Sequence, residues 1–277
     1  MTDAPTVELR LPIGLRVLRR LPVPRKIGVL GRFYGESLAR RGVAWVETSA
    51  GPGWKLDLRN HTHRWIVYGD YEGPGFIEWA RGWIREDSVV VDSGANIGQV
   101  LLYLAPKIRS GRYIAVEPHP VARQWLEECL SRYPQWKVSV QKFGLGERAE
   151  RASLAGQWGG DAAVGSHTEL EFGSGEIEVR TLDDYAHQAG LAKIDLWKLD
   201  MEGAEESALR GAEALLSAQA IRALVLETGR ERFGGMLDML AKHKYRPHGW
   251  NGRPLARGDV SSHRNVLFIA DSANRTR

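Results

Sequence analysis

The sequence has one cysteine, Cys129, so no internal disulfide can form, and that usage fits a reducing compartment. No apolar run approaches the ~20 residues that a membrane span requires. The N-terminus lacks the uninterrupted apolar segment of a secretory signal. These absences predict a cytoplasmic protein without stable membrane insertion. Internal repeats and low-complexity segments are absent too. Lysine is scarce beside arginine, and the net charge of +4 is spread along the chain without a nucleic-acid-binding motif. No nucleic-acid partner is therefore expected. Also missing is the G-x-G-x-x-G fingerprint of a dinucleotide-binding turn.

What is present suits a folded chain of ordinary size. At 277 residues and 43% hydrophobic content, it can hold one α/β domain plus an extension. The first thirty residues mix Leu15, Leu18 and Leu21 with Arg16, Arg19, Arg20 and Arg25. They predict a short amphipathic helix, which could touch a membrane but is expected to dock on its own domain. Residues 43–58 alternate around Gly51-Pro52-Gly53 and predict a hairpin. His61 and His63 stand in H-x-H spacing with no cysteine nearby, which reads as structural rather than as a metal site. A helix is expected from Phe76 to Ile84.

The chain is organised around Val89-Val90-Val91-Asp92-Ser93-Gly94-Ala95-Asn96-Ile97-Gly98. Three apolar β-branched residues predict a buried parallel strand with Asp92 at its carboxyl end. The turn that follows has glycines in G-x-x-x-G spacing, and a helix is expected from Ile97 to about Pro106. From here strands and helices alternate. Further strands are expected at 113–116, 137–140, 194–199 and 221–226, with helices at 121–133, 182–189, 205–216 and 231–242. Short alternating runs at 152–154, 170–172 and 177–179 predict a β-ribbon insertion. Residues 245–250 and 265–269 predict a closing antiparallel pair. This is an α/β chain with a doubly wound, mostly parallel sheet and an antiparallel edge.

In such a sheet the ligand lies outside the carboxyl ends of the strands. Those ends carry Asp92, Glu117, Lys142-Phe143-Gly144, Asp200-Met201-Glu202 and Glu227. A carboxylate such as Glu117, about twenty residues after the glycine turn, suits two ribose hydroxyls. Asp200 and Glu202 could hold a metal, act as a general base or orient a substrate amine. Glu205 and Glu206 are read only as favourable charges at a helix start.

Five ordered motifs carry a resemblance: Val91–Gly98, Val116-Glu117-Pro118, Thr181-Leu182-Asp183-Asp184-Tyr185, Leu196-Trp197-Lys198-Leu199-Asp200-Met201-Glu202-Gly203-Ala204-Glu205, and Val225-Leu226-Glu227. Together they closely resemble the FkbM family of class I, S-adenosylmethionine-dependent methyltransferases. Tyr71-Glu72 also fits; Ser93 departs from the usual valine or isoleucine. The resemblance implies a Rossmann-like domain over 86–272 with an insertion near 145–180. An N-terminal extension over 1–85 and a disordered tail over 273–277 complete the expected organisation.

The resemblance further implies S-adenosyl-L-methionine as cofactor. Asp92, Gly94, Asn96 and Gly98 would cradle its methionine end, and Glu117 with Pro118 its ribose. Phe143 and Gly144 would lie near adenine, with Glu72 also close. The expected reaction is methyl transfer to a hydroxyl of a sugar, glycoside or polyketide-type natural product, a small-molecule acceptor. Asp200 is the first candidate for base, then Glu202 and Glu227. A divalent metal is possible, with Asp200 and Glu202 as its ligands. Trp158, Asp161 and His63 are candidates for acceptor binding. A carboxyl- or N-methyltransferase is the alternative, with a NAD-type dehydrogenase, an epimerase or a non-catalytic binder further behind.

Overall fold

The computed structural model describes residues 7–21, 25–69, 74–155, 169–227, 233–262 and 265–274. At its centre is a seven-stranded sheet. Its strands are β1 (Val89–Ser93), β2 (Arg112–Val116), β3 (Val138–Gln141), β4 (Leu196–Leu199), β5 (Ala223–Glu227), β6 (Tyr245–His248) and β7 (Asn265–Ala270). Their order is β6-β7-β5-β4-β1-β2-β3. The strands from β1 to β5 pair in parallel, while β7 runs antiparallel to both β5 and β6. The doubly wound sheet and its closing edge are as expected.

The order follows from burial. In β1, Val90 and Val91 are fully enclosed between β4 and β2. Each contributes roughly 1.5–3 kcal/mol relative to an exposed position. The chain winds from β1 to β2 and β3, then returns to set β4 on the other side of β1. The winding therefore reverses between β1 and β4, which opens a crevice outside their carboxyl ends.

Two smaller sheets flank this one. Val43–Glu47 and Gly53–Asp57 form the expected hairpin, and Val7–Leu9 adds a parallel strand that the sequence reading lacks. The insertion is a four-stranded sheet of Gly144–Leu145, Glu150–Ala155, Glu169–Phe172 and Ile177–Arg180. The N-terminal helix Ile13–Leu18 docks through buried Leu15. One continuous core runs from Leu11 to Ala273.

Two expected helices are interrupted. The helix after β1 is only Leu101–Leu104, followed by a 3-10 turn, Ala105–Lys107. Gly98 has φ +87°, and the Ile97 carbonyl accepts the Trp54 indole N–H at 2.7 Å, so the helix cannot start there. The expected helix over 205–216 splits into Glu205–Arg210 and Glu213–Ser217. Gly211 sits so close to Gly146 that a Cβ would fall 2.0 Å from its carbonyl oxygen. Asp183 then starts the second piece by accepting the Ala214 and Leu215 N–H groups. The expected tail also begins inside structure, because Asp271–Asn274 is helical and Ala273 is buried. Residues 275–277 lie outside the described residues.

Candidate functional site

The glycine turn after β1 is folded inward onto the end of β2. Gly94 and Ala95 donate their N–H groups to the Val116 carbonyl at 3.0 and 3.1 Å. Asn96, at φ +49°, donates its N–H to Glu117 Oε2 at 2.7 Å, and His119 donates its N–H to Oε1 at 2.8 Å. The turn's amides are spent on β2, and the helix begins further along.

Glu117 is buried, and burial pushes its carboxyl up from 4.5 to about 7, although the two backbone N–H groups pull it down. Pro118 follows it, half-buried, and leads into the helix Pro120–Leu130. Asp92 is more enclosed. Its Oδ2 accepts the Tyr113 hydroxyl at 2.7 Å, and Oδ1 has no hydrogen bond. Burial raises its pKa, with Lys198 and Tyr113 opposing that shift.

Lys198 is the group that sequence reasoning missed. It is the register partner of Asp92 on the adjoining strand β4, and its side chain is 7% exposed. Its Nζ stands 3.8 Å from Asp92 Oδ1 and 3.0 Å from Asp200 Oδ2. One buried ammonium thus links a fully enclosed carboxylate to one that is 30% exposed. The available signal was a lysine inside the apolar strand Leu196-Trp197-Lys198-Leu199, where a charge needs a partner.

The turn after β4 is held from both sides. The Asp200 N–H donates to the Ser93 carbonyl at 3.1 Å, and Gly94 packs against the Asp200 backbone. Glu205 is buried, and its two oxygens accept the N–H groups of Met201 (2.7 Å) and Gly203 (3.0 Å). Its reading as a mere favourable helix-end charge is corrected: it ties the turn together. Glu202 occupies that turn at φ +54° and is half-buried. Glu227 ends β5 opposite Asn265. Ser93, the departure noted in the first motif, accepts the Trp197 indole N–H at 2.8 Å inside the core.

Other candidates are placed differently. A Cβ on Gly98 would meet Leu126 and Trp54, each at 2.8 Å, so this glycine serves packing between the turn and the N-terminal hairpin. The Phe143 ring is enclosed by Tyr185 (centroids 5.1 Å apart) and Arg180 (5.0 Å). Gly144 begins the inserted sheet, pressed against Leu170. His63 is buried, its Nδ1 accepting the Asp57 N–H at 2.9 Å and its ring edge facing Trp125. That position corrects its reading as an open acceptor contact; it pins the hairpin. Glu72, Trp158 and Asp161 lie outside the described residues. Among the described residues no group of three or more His, Cys, Asp or Glu side chains is arranged to hold a metal ion.

This arrangement has relatives among known proteins. AMB antimetabolite synthetase AmbE of Pseudomonas aeruginosa is 30% identical over 255 residues, 73% of this chain and 12% of that protein. Methyltransferase 1 of Beauveria bassiana is 28% identical over 148 residues, 46% of this chain and 59% of that one. The chain thus spans less than two thirds of these curated relatives. Among solved structures, a TehB-like SAM-dependent methyltransferase from Corynebacterium glutamicum aligns with a TM-score of 0.40 and 14% identity, covering 77% of this chain and 97% of that one. The decisive match is to the family described as methyltransferase FkbM domain. It covers residues 92–247, from the buried aspartate of β1 through the turn after β4 to β6. That stretch is more than half of the sequence and contains each carboxylate that Lys198 and the two turns gather, so the chain belongs to the FkbM methyltransferase family.

Proposed function

We propose that the protein transfers the methyl group of S-adenosylmethionine, the cofactor of its family, to a hydroxyl oxygen of a sugar, glycoside or polyketide-type small molecule. The observation that carries this reading is the Asp92–Lys198–Asp200 linkage at the switch point. It sets a partly exposed carboxylate beside a buried, charge-paired floor.

The residues present fit the cofactor. Glu117 uses one lone pair on each oxygen for a backbone N–H, which leaves a second on each for the paired hydroxyls of a ribose. Asp92 Oδ1, buried and without a hydrogen bond, suits the α-ammonium of a methionine. Gly94 and Asn96 shape the turn beside them. When bound, the cofactor supplies an electrophilic methyl on a sulfonium leaving group.

Everything else falls to the chain's own residues. An alcohol is a poor nucleophile while protonated, so a positioned base accelerates transfer, by about 10²–10⁴-fold in typical enzymes. Asp200 takes that role in this reading: it would accept the hydroxyl proton while Lys198 holds its Oδ2 in place. Glu202 and Glu227 stand second and third. Most of the gain beyond proton transfer comes from holding the acceptor oxygen in line with the methyl. The same proposal keeps residues 1–85 as an extension on a methyltransferase domain over 86–272.

The alternative reading is transfer to a carboxylate or amine of a small molecule or peptide. Incubation with methyl-labelled S-adenosylmethionine against glycosides, macrolides and peptides separates the two. Label in a base-stable ether supports the first reading, and label in an ester or amine replaces it with the second. If calorimetry detects no binding of S-adenosylhomocysteine to the folded protein, both fail.

A further inference from the structure

Seven large apolar side chains are exposed among the described residues, and five of them fall within the first 33 positions: Val7, Ile13, Val17, Leu21 and Phe33. The helix Ile13–Leu18 shows how this arises. Leu15 on one face is buried, with Leu11 just before the helix, and these residues anchor the segment to the core. The opposite face turns Ile13 (79% exposed) and Val17 (54%) to water one helical turn apart. Docking of this helix therefore uses only half of its apolar surface.

A second helix joins the same surface. A Cβ on Gly14 would lie 2.6 Å from the Tyr34 hydroxyl, so Ile13–Leu18 crosses Lys26–Ala39 at that point. Phe33, the chain neighbour of Tyr34, is 72% exposed. Interleaved with these residues along the chain, Arg10, Arg16, Arg20, Arg25 and Arg32 are all exposed. None of the five forms an ion pair among the described residues, while the local acids Glu8 and Glu36 are already paired with Arg132 and Arg40. Exposed apolar side chains and unpaired arginines thus share these two helices and their flanks.

We propose that this face rests on an anionic lipid surface. Ile13, Val17, Leu21 and Phe33 would enter the boundary between headgroups and acyl chains, and the arginines would meet lipid phosphates. The contact is peripheral, since no described helix is long and apolar enough to cross a membrane. Lipid suits the patch better than a protein does. The four side chains leave on the order of 500 Å² exposed, the upper range for a patch on a monomer. That is below the ~800 Å² per partner of a standard protein interface. It is enough for shallow insertion helped by several arginines.

The test is co-sedimentation of the full chain with vesicles of phosphatidylcholine alone, and with vesicles of phosphatidylcholine mixed with phosphatidylglycerol. Binding to the mixed vesicles alone is expected, weakened by high salt. Arg16→Gln and Arg20→Gln should each lower affinity roughly fivefold. Ile13→Ser/Val17→Ser/Phe33→Ser should lower it at least about tenfold, with the thermal unfolding midpoint held, because these side chains are already in water. Absence of binding to either vesicle overturns the proposal. So does equal binding to neutral vesicles, or binding that survives the triple variant. A concentration-dependent dimer that the triple variant abolishes also overturns it, since a second copy would then cover the face.

Discussion

Gly94 and Asp200 touch backbone to backbone: a Cβ on the glycine would fall 1.8 Å from the aspartate's carbonyl oxygen. The turn after β1 and the turn after β4 are therefore one surface, and no side chain can be placed between them. Gly94 also has φ +78°, which disfavours any other residue. Gly94→Ala should destabilise the fold by roughly 2–4 kcal/mol, combining the clash with the left-handed backbone. Denaturant unfolding measures that loss, and calorimetry should show cofactor binding weakened with it.

If Glu117 holds the ribose as proposed, cofactor binding depends on pH. Its carboxyl titrates near 7, and only the ionised form accepts from both ribose hydroxyls. Affinity for S-adenosylhomocysteine should rise as pH passes from 6 to about 8. Glu117→Gln should flatten that rise and weaken binding at high pH. The effect on stability runs the other way. The proton is held more tightly in the folded state, so this contribution is complete below 4.5 and is lost as pH rises through about 7. An unchanged pH profile in Glu117→Gln would remove the residue from the cofactor site.

Lys198 tests the linkage itself. Lys198→Met leaves Asp92 buried without its counter-charge, and breaking such a pair costs about 3–5 kcal/mol. Adding Asp92→Asn should recover part of that loss, because the uncompensated charge is then gone. Additive losses in thermal unfolding of the single and double variants would show that the two groups do not interact.

Asp200→Asn should leave cofactor affinity near that of the parent and lower turnover by about 10²-fold or more. Comparing kcat with the dissociation constant for S-adenosylhomocysteine separates the two effects. Full activity in Asp200→Asn on the true acceptor would move the base to Glu202 or Glu227.

Glu205→Gln keeps the shape of the side chain but weakens the two charge-assisted hydrogen bonds that close the turn after β4. A loss of roughly 1–3 kcal/mol is expected in denaturant unfolding. Turnover should fall as well, since Glu202 lies between the two N–H groups that Glu205 holds.

Most of the sheet was legible because its strands advertise themselves. Val89-Val90-Val91 and Leu224-Val225-Leu226 admit few readings other than buried strands, and the glycine turn with its acidic neighbours marks which ends matter. The parts that escaped are set by tertiary contacts rather than by local pattern. Nothing near Ile97 in the sequence says that Trp54, 43 positions earlier, will take its carbonyl and forestall the helix. Gly211 resembles a tolerated helical glycine until Gly146 is brought against it. Lys198 sat in plain view within a motif, yet its meaning depends on Asp92 being its neighbour across two strands. His63 erred the other way: a polar residue near aromatics reads as a contact site, whereas the fold buries it to brace a hairpin.

The Trp54 hydrogen bond bears on how this protein can be dissected. The indole belongs to the N-terminal hairpin, and the carbonyl it holds belongs to the glycine turn, with Gly98 moulded around the same ring. The apparent border near residue 85 is thus a border of sequence motifs and not of mechanical units. A shortened version starting at β1 would carry all five ordered motifs and still lack one wall of its own turn. Any graft of this catalytic core into another scaffold has to bring the hairpin with it.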